Sequence, residues 1–319
     1  MHELMTFDQT DGQPTQVAAN VHEYLNASIA ENTRRSYAND WKSFSGWCAA
    51  ERYSCLPAGA ATVAAYLADM ADHGKKASTI DRARAAIRKA HEVAGLDDPT
   101  ATAGVRQTLK GIRRTIGTAP TQKAPTMCAD IKTMCATLPD TTKGIRDRAL
   151  LLVGFAGAFR RAELVGIAAE HITETPDGII IQLPKSKTDQ EGKGRLVGIK
   201  RTEHPATCPV RALLTWITVA NVTSGSVFRT IDRHGNIKGP ITAQSVALVV
   251  KEYAQAAGLD PAKYSGHSLR AGLVTQAAKN KASLSDIMRQ TGHRSTETVN
   301  RYIRKANIFE DNVSANIGL

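Results

Sequence analysis

The sequence predicts a mainly α-helical chain with a small antiparallel β-sheet, split into an N-terminal helical bundle and a mixed α+β second domain. Three observations predict it. Apolar residues recur at helical spacing up to about position 115; the stretch IGTAPTQKAPT breaks that pattern; and beyond it helical segments alternate with short β-rich runs. The expected organisation is a flexible N-terminus (1–19), a helical domain (20–115), a linker (116–126) and a second domain with a C-terminal tail (127–319).

In the first domain Tyr37, Trp41, Phe44 and Cys48 fall on one face of a helix. Val63, Tyr66, Leu67 and Met70 mark a second, which Gly74 stops. Ser78 and Asp81 form a capping-box-like start to a third, carrying Ile80, Ala83, Ile87, Ala90 and Ala94 before Gly95. A last helix spans Val105 to Arg114.

After the linker, Ile131, Met134, Cys135 and Leu138 mark a helix, and ALLLVGFAGAF is apolar enough to require burial. In DGIIIQLPKSKTDQEGKGRLVGI two strands, Ile179 to Leu183 and Arg195 to Ile199, flank a polar turn. VFRTIDRHGNIK reads as a weaker hairpin, and helices follow at 242–257, 268–280, 284–291 and 296–303.

Composition excludes several classes. With 42% hydrophobic and 22% charged residues the chain is globular, not disordered. No apolar run approaches the roughly 20 residues of a membrane span, and MHELMTFDQTDGQPTQ shows no secretory signal. The five cysteines are odd in number, and the pairs Cys48/Cys55 and Cys128/Cys135 are spaced as on a helix face, not as metal ligands. There is no GxxxxGK[ST] loop, no HExxH and no acidic cluster for two metals, so neither a nucleotide nor a metal cofactor is expected.

The net charge of +11 points to a polyanionic partner such as nucleic acid. It is uneven: residues 1–120 carry 14 Lys and Arg against 13 Asp and Glu, and residues 121–319 carry 27 against 17. In the first domain Arg34 and Arg35 fall in a first helical turn, and Lys75 and Lys76 just precede another. Cations there oppose the helix dipole at about 0.3–1 kcal/mol each, and DNA phosphate is a candidate compensation. Arg82 and Lys89 share the face opposite Ile80 and Ile87; a solvated charged face explains them as well as DNA contact does.

Chemistry-bearing residues concentrate in the second domain. Arg160 follows the apolar run in GAFRRAEL, where Glu163 can orient it through a charge-assisted hydrogen bond. His267 and Arg270, three apart in HSLR, share a helical face suited to an anion. Lys185 and Lys187 enter the hairpin turn, where an ammonium can serve as a proton donor. In GHRSTETVNRYIR, His293 precedes Tyr302 by nine residues. A phenol with a pKa of about 10 is a weak nucleophile without help. Surrounding cations stabilise both phenolate and an attacked phosphate, together by on the order of 10 kcal/mol.

Arg in RRAEL, Lys in PKSKTDQ, HSLR, GH and then Tyr, in that order, resemble the tyrosine recombinases of the phage-integrase family. The resemblance implies the fold shared by these recombinases and type IB topoisomerases, with a SAM-like core-binding domain before the catalytic domain. It implies a catalytic set of Arg160, Lys187, His267, Arg270, His293 and Tyr302, with Lys185 as the alternative lysine and Glu163 in support. Tyr302 would attack a scissile phosphate to give a 3′-phosphotyrosine, Arg160 and Arg270 would hold the non-bridging oxygens, and His267 and His293 would donate hydrogen bonds and assist proton transfer. Lys187 would protonate the leaving 5′ oxygen. It further implies double-stranded DNA with inverted-repeat core sites as partner, a homotetramer on DNA, no metal or ATP, and a bacterial cytoplasmic setting. The tail IFEDNVSANIGL would pack on a neighbouring protomer. Two other readings use the same residues: a type IB topoisomerase, which rejoins the same strand, and a catalytically silent DNA-binding protein.

Overall fold

The computed structural model describes residues 30–119, 122–184 and 194–306, with side chains as far as Ile303. The N-terminus (1–19), the stretch 185–193 with Lys185 and Lys187, and the tail from 308 lie outside the described residues. The chain forms two units, divided between Thr121 and Gln122.

The first unit contains α1 (Glu31–Ala50), α2 (Ala60–Asp72), α3 (Ala77–Val93) and α4 (Ala103–Ile116). Phe44 and Cys48 of α1 meet Val63, Tyr66, Leu67 and Met70 of α2 and Ile80, Ala83 and Ile87 of α3 in one core. Aromatic rings dominate its centre: Phe44 and Tyr66 lie 5.1 Å apart, and Trp47 and Tyr66 5.3 Å. Burying each such side chain contributes about 1.5–3 kcal/mol. Gly74, at φ 70°, ends α2 in a conformation that other residues rarely adopt. The third helix differs from expectation at its start. Lys76, not Ser78, stands at the N-cap, and no side chain caps the helix. Ser78 is already inside it, which puts its hydroxyl beyond the N-cap position.

The second unit begins inside the stretch expected as linker. Ala124 and Thr126 donate their N–H groups to the carbonyls of Lys263 (2.8 Å) and Ser268 (3.0 Å), so residues 122–126 are part of this unit. Gly272 permits the approach, since a Cβ there would stand 1.9 Å from the Thr126 carbonyl oxygen. Then come α5 (Cys128–Ala136), α6 (Thr142–Ala156), α7 (Arg161–Val165), β1 (Ile172–Thr175), β2 (Gly178–Leu183), β3 (Arg195–Lys200), α8 (Pro209–Val219), β4 (Arg229–Ile231), β5 (Ile237–Pro240), α9 (Ala243–Ala256), α10 (Gly266–Lys279), α11 (Leu284–Thr291) and α12 (Thr296–Ala306).

The apolar run after Arg148 is the central helix: Ala149 to Val153 of α6 are all buried. Strands β1, β2 and β3 form an antiparallel sheet in that order, with Ile181 opposite Val197 and Leu183 opposite Arg195. Ile179, Ile181 and Leu183 turn inward with Val197 and Ile199, while β4 and β5 make a separate hairpin. Helix α8 and strand β1 go beyond the sequence reading. PVRALLTWITV mixes helix and strand formers without a polar cap, and packing decides it: Trp216 is fully buried and donates Nε1–H to the Val227 carbonyl at 2.9 Å. A smaller cluster of Val274, Ala278, Ile287 and Val299 supports α11 and α12, with Tyr302 at its margin.

Candidate active site

Arg160 owes its place to a sharp turn after α6. Gly157 leaves room for the Phe159 ring, which a Cβ would meet at 2.1 Å, and Ala158 takes a left-handed φ of 49°. Phe159 enters the core, 1% exposed, so the next residue is directed outward at the start of α7. Glu163 then accepts from the Arg160 backbone N–H at 2.8 Å and from its guanidinium at 2.5 Å.

Arg270 approaches the same turn from α10. It is 2% exposed and donates Nη1–H to the Ala158 carbonyl at 2.7 Å, while its Nη2 is a buried donor with no partner among the described residues. Burial and the Arg160 charge push its pKa down to about 10. His267 lies one helical turn earlier on α10, and its Nε2 stands 3.0 Å from the Tyr302 hydroxyl. Burial, Arg270, Arg160 and Arg161 lower its pKa, so the ring is neutral at pH 7. The Tyr302 phenol is raised by burial, against which Arg270 and Arg301 act. A protonated phenol thus faces a neutral imidazole.

His293 follows Gly292, whose φ of 66° ends α11. Burial, then Arg270, Arg160, His267 and Arg195, push its pKa down to about 4. Its Nδ1 lies 2.7 Å from the Thr291 hydroxyl.

Arg160, Glu163, His267, Arg270, His293 and Tyr302 therefore share one cationic environment. Sequence reasoning did not find three of their neighbours. Arg195, first residue of β3, donates to Glu163 (3.4 Å) and to the Gln290 carbonyl (2.8 Å), and its Nε is a second buried donor without a partner among the described residues. Gln290 donates Nε2–H to the carbonyls of Ala156 (2.9 Å) and Gly198 (3.1 Å), joining α11 to α6 and β3. Thr291 is the third. A signal for Arg195 existed: it is in phase with the buried Val197 and Ile199, where a cation needs a partner. Glu163 is that partner. Burial raises its pKa, but hydrogen bonds and charge from Arg160, with Arg195 beyond, outweigh that and the net shift is downward.

In the first unit Arg34, Arg35, Arg82 and Lys89 have acidic neighbours. Arg34 and Arg35 both pair with Glu31, the latter at 3.5 Å, so the charge they bring to the first turn is offset within the helix. Arg82 makes two hydrogen bonds to Asp40, at 2.7 and 3.0 Å, and Lys89 pairs with Glu92 at 3.0 Å. Lys75 and Lys76 are exposed between α2 and α3. Among the described residues no group of three or more His, Cys, Asp or Glu could hold a metal ion, and no helix is long and apolar enough to cross a membrane.

A cluster of cationic side chains around one tyrosine, on a mainly helical unit that follows a helical bundle, agrees with what comparison with known proteins shows: a tyrosine recombinase, an enzyme that breaks and rejoins DNA. The chain belongs to the phage integrase family, whose profile matches residues 127–307, while the N-terminal SAM-like domain of phage integrases matches residues 22–95. It is 42% identical over 294 residues to an integrase/recombinase XerD homolog of Selenomonas ruminantium, covering 90% of this chain and 86% of that protein. It is 23% identical to recombinase Cre of Escherichia phage P1, over 87% and 85% of the two chains. Its fold resembles the XerH site-specific recombinase bound to difH in a pre-cleavage complex, with a TM-score of 0.61, 16% identity and coverage of 97% and 93%. A lambda integrase dimer bound to a COC′ core site gives 0.61, 14%, 92% and 82%.

Proposed function

We propose that the chain is a site-specific recombinase that integrates or excises DNA through a 3′-phosphotyrosine, with Tyr302 as nucleophile. The contact between the Tyr302 hydroxyl and His267 Nε2 at 3.0 Å carries this reading. His267 accepts the phenol proton as the Tyr302 oxygen bonds to phosphorus. The bond from phosphorus to the 5′ oxygen breaks, and Lys187 supplies that oxygen's proton; Lys185 is the alternative donor. Arg160 and Arg270 hold the non-bridging oxygens, the buried Nη2 of Arg270 finding there the acceptor it lacks. His293 is neutral until the phosphate arrives; the anion then favours its protonated form, which donates to an oxygen. Glu163 orients Arg160. A 5′-hydroxyl from a second duplex reverses the step and rejoins the strands. Of the two histidines expected to donate hydrogen bonds and assist proton transfer, the one nearest the nucleophile is thus the one that takes the proton.

The partner is double-stranded DNA with inverted-repeat core sites, engaged by four protomers, in the bacterial cytoplasm. Relatives described as bound to difH and to a core site support the DNA partner. Lys75, Lys76, Arg34, Arg35, Arg82 and Lys89 contribute phosphate contacts from the first unit, Arg82 and Lys89 by exchanging acidic partners for phosphate.

The test uses a duplex selected from a random library by binding, nicked so that cleavage is trapped. Wild type gives a detergent-resistant covalent adduct and Tyr302→Phe gives none. An adduct that persists in Tyr302→Phe, or its absence in wild type, overturns the assignment. Strand transfer between two duplexes separates a recombinase from a topoisomerase.

A further inference from the structure

Thr291, the last residue of α11, is fully buried. Its hydroxyl oxygen stands 2.6 Å from the Ile287 carbonyl oxygen and 2.7 Å from Nδ1 of His293. A hydroxyl has one proton, and a carbonyl can only accept. The proton goes to Ile287, so the hydroxyl oxygen serves Nδ1 only as an acceptor, which places a hydrogen on Nδ1. We infer that Thr291 is a positioning residue that sets the tautomer of His293, keeping the proton on Nδ1 and leaving Nε2 as the nitrogen that works on the phosphate. The inference rests on the reading of His293 given above.

The turn around the ring is held separately, so the hydroxyl's part is distinct from that of the backbone. Gly292 donates its N–H to the Met288 carbonyl at 2.7 Å. Arg195 grips the Gln290 carbonyl and lies so close beneath Gly292 that a Cβ there would stand 2.8 Å from its Nε. These contacts fix the path of the chain but not the protonation of the imidazole.

The surroundings make the tautomer matter. The groups that face His293 are Arg270 and His267 from α10, Arg160 from the start of α7 and Arg195 from β3. All are cationic or can become so, and burial together with these charges holds the ring neutral. A neutral imidazole has one N–H, and its position decides which nitrogen can take up a proton. With Nδ1–H committed to Thr291, the proton gained when phosphate neutralises the arginines enters at Nε2. The imidazolium then has both N–H groups satisfied, one by Thr291 and one by the phosphate oxygen.

Two measurements on the full chain test this. Long-range nitrogen–proton correlation of the histidine side chains, with the peaks of residue 293 identified through His293→Gln, reads the tautomer in the free protein. Nδ1–H is expected in wild type and Thr291→Ser, and Nε2–H in Thr291→Val. On the trapping duplex, Thr291→Val is expected to form adduct roughly ten- to a hundredfold more slowly at pH 7, by analogy with the loss when the orienting partner of a metal-bound histidine is removed. Its pH profile should also move to lower pH, because the imidazolium has lost an acceptor, and Thr291→Ser should restore both rate and profile. An Nε2–H wild-type ring, a Thr291→Val protein with wild-type rate and profile, or a serine variant as slow as the valine one overturns the inference while the site reading stands. Wild type without any adduct removes both.

Discussion

Arg270 Nη1 donates to the carbonyl oxygen of Ala158 at 2.7 Å, so the second arginine of the site is anchored on the turn that launches the first. A buried cation, Arg270, and a partly buried one, Arg160, are thereby held together before any phosphate is present. A helix that ends at Ala156 and a left-handed Ala158 at φ 49° make that carbonyl available.

That arrangement works against stability. Burial and Arg160 depress the Arg270 pKa to about 10, which corresponds to an unfavourable environment of on the order of 3 kcal/mol for the charge. Arg270→Met, which keeps volume and removes the charge, should therefore unfold in urea at the same or a higher midpoint than wild type, while forming no adduct. A clear drop in midpoint would show that the Ala158 hydrogen bond outweighs the repulsion.

The pH dependence has a definite sign. The folded pKa of His293 is about 4, against 6.5 for an ordinary histidine. Between those values the unfolded chain binds a proton that the folded chain does not, so acid favours unfolding there. Stability should fall as pH drops from about 6.5 towards 4 and lose nothing further through this group below that. His267, lowered for similar reasons, adds to the same trend. Urea midpoints at stepped pH check it, and His293→Gln should flatten the curve. Sulfate should raise the midpoint most at the acidic end, because an anion relieves the repulsion that keeps the ring neutral.

Glu163 balances two arginines, Arg160 at 2.5 Å and Arg195 at 3.4 Å. Removing a buried partner of this kind costs roughly 3–5 kcal/mol. Glu163→Ala should approach that loss in chemical denaturation, and Glu163→Gln, which keeps the shape and an acceptor, should lose less. Both should slow adduct formation, since Arg160 loses the group that orients it. Equal stability of Glu163→Ala and wild type would argue that the pair is already solvated.

In the helical unit, salt titration of DNA binding separates the cations. Each phosphate contact adds about 0.9 to the slope of log affinity against log salt. Lys75→Ala should reduce the slope by about that amount. Arg82→Ala should change it less, because Arg82 must first leave Asp40, held through hydrogen bonds of 2.7 and 3.0 Å. A larger effect for Arg82 would reverse this order.

Local pattern determined much of this protein. The helical faces of Val63 to Met70 and of Ile80 to Ile87, the buried run after Arg148 and the two strands flanking the lysine-bearing turn follow from periodicity, which depends only on neighbours in the chain. The order of Arg160, His267, Arg270, His293 and Tyr302 was legible too, through its resemblance to the tyrosine recombinases of the phage-integrase family. Tertiary structure decided what no local pattern contains. It made α8 a helix by burying Trp216, offset the charges of Arg34 and Arg35 with Glu31, and brought Arg195 from the sheet onto Glu163 and Gln290. It also set His267 Nε2 3.0 Å from the Tyr302 hydroxyl. The physical reason is common to all of these. Periodicity specifies which face of a segment is apolar, whereas the partner of a buried charge or ring nitrogen is whichever group the packing of distant segments delivers within about 3 Å.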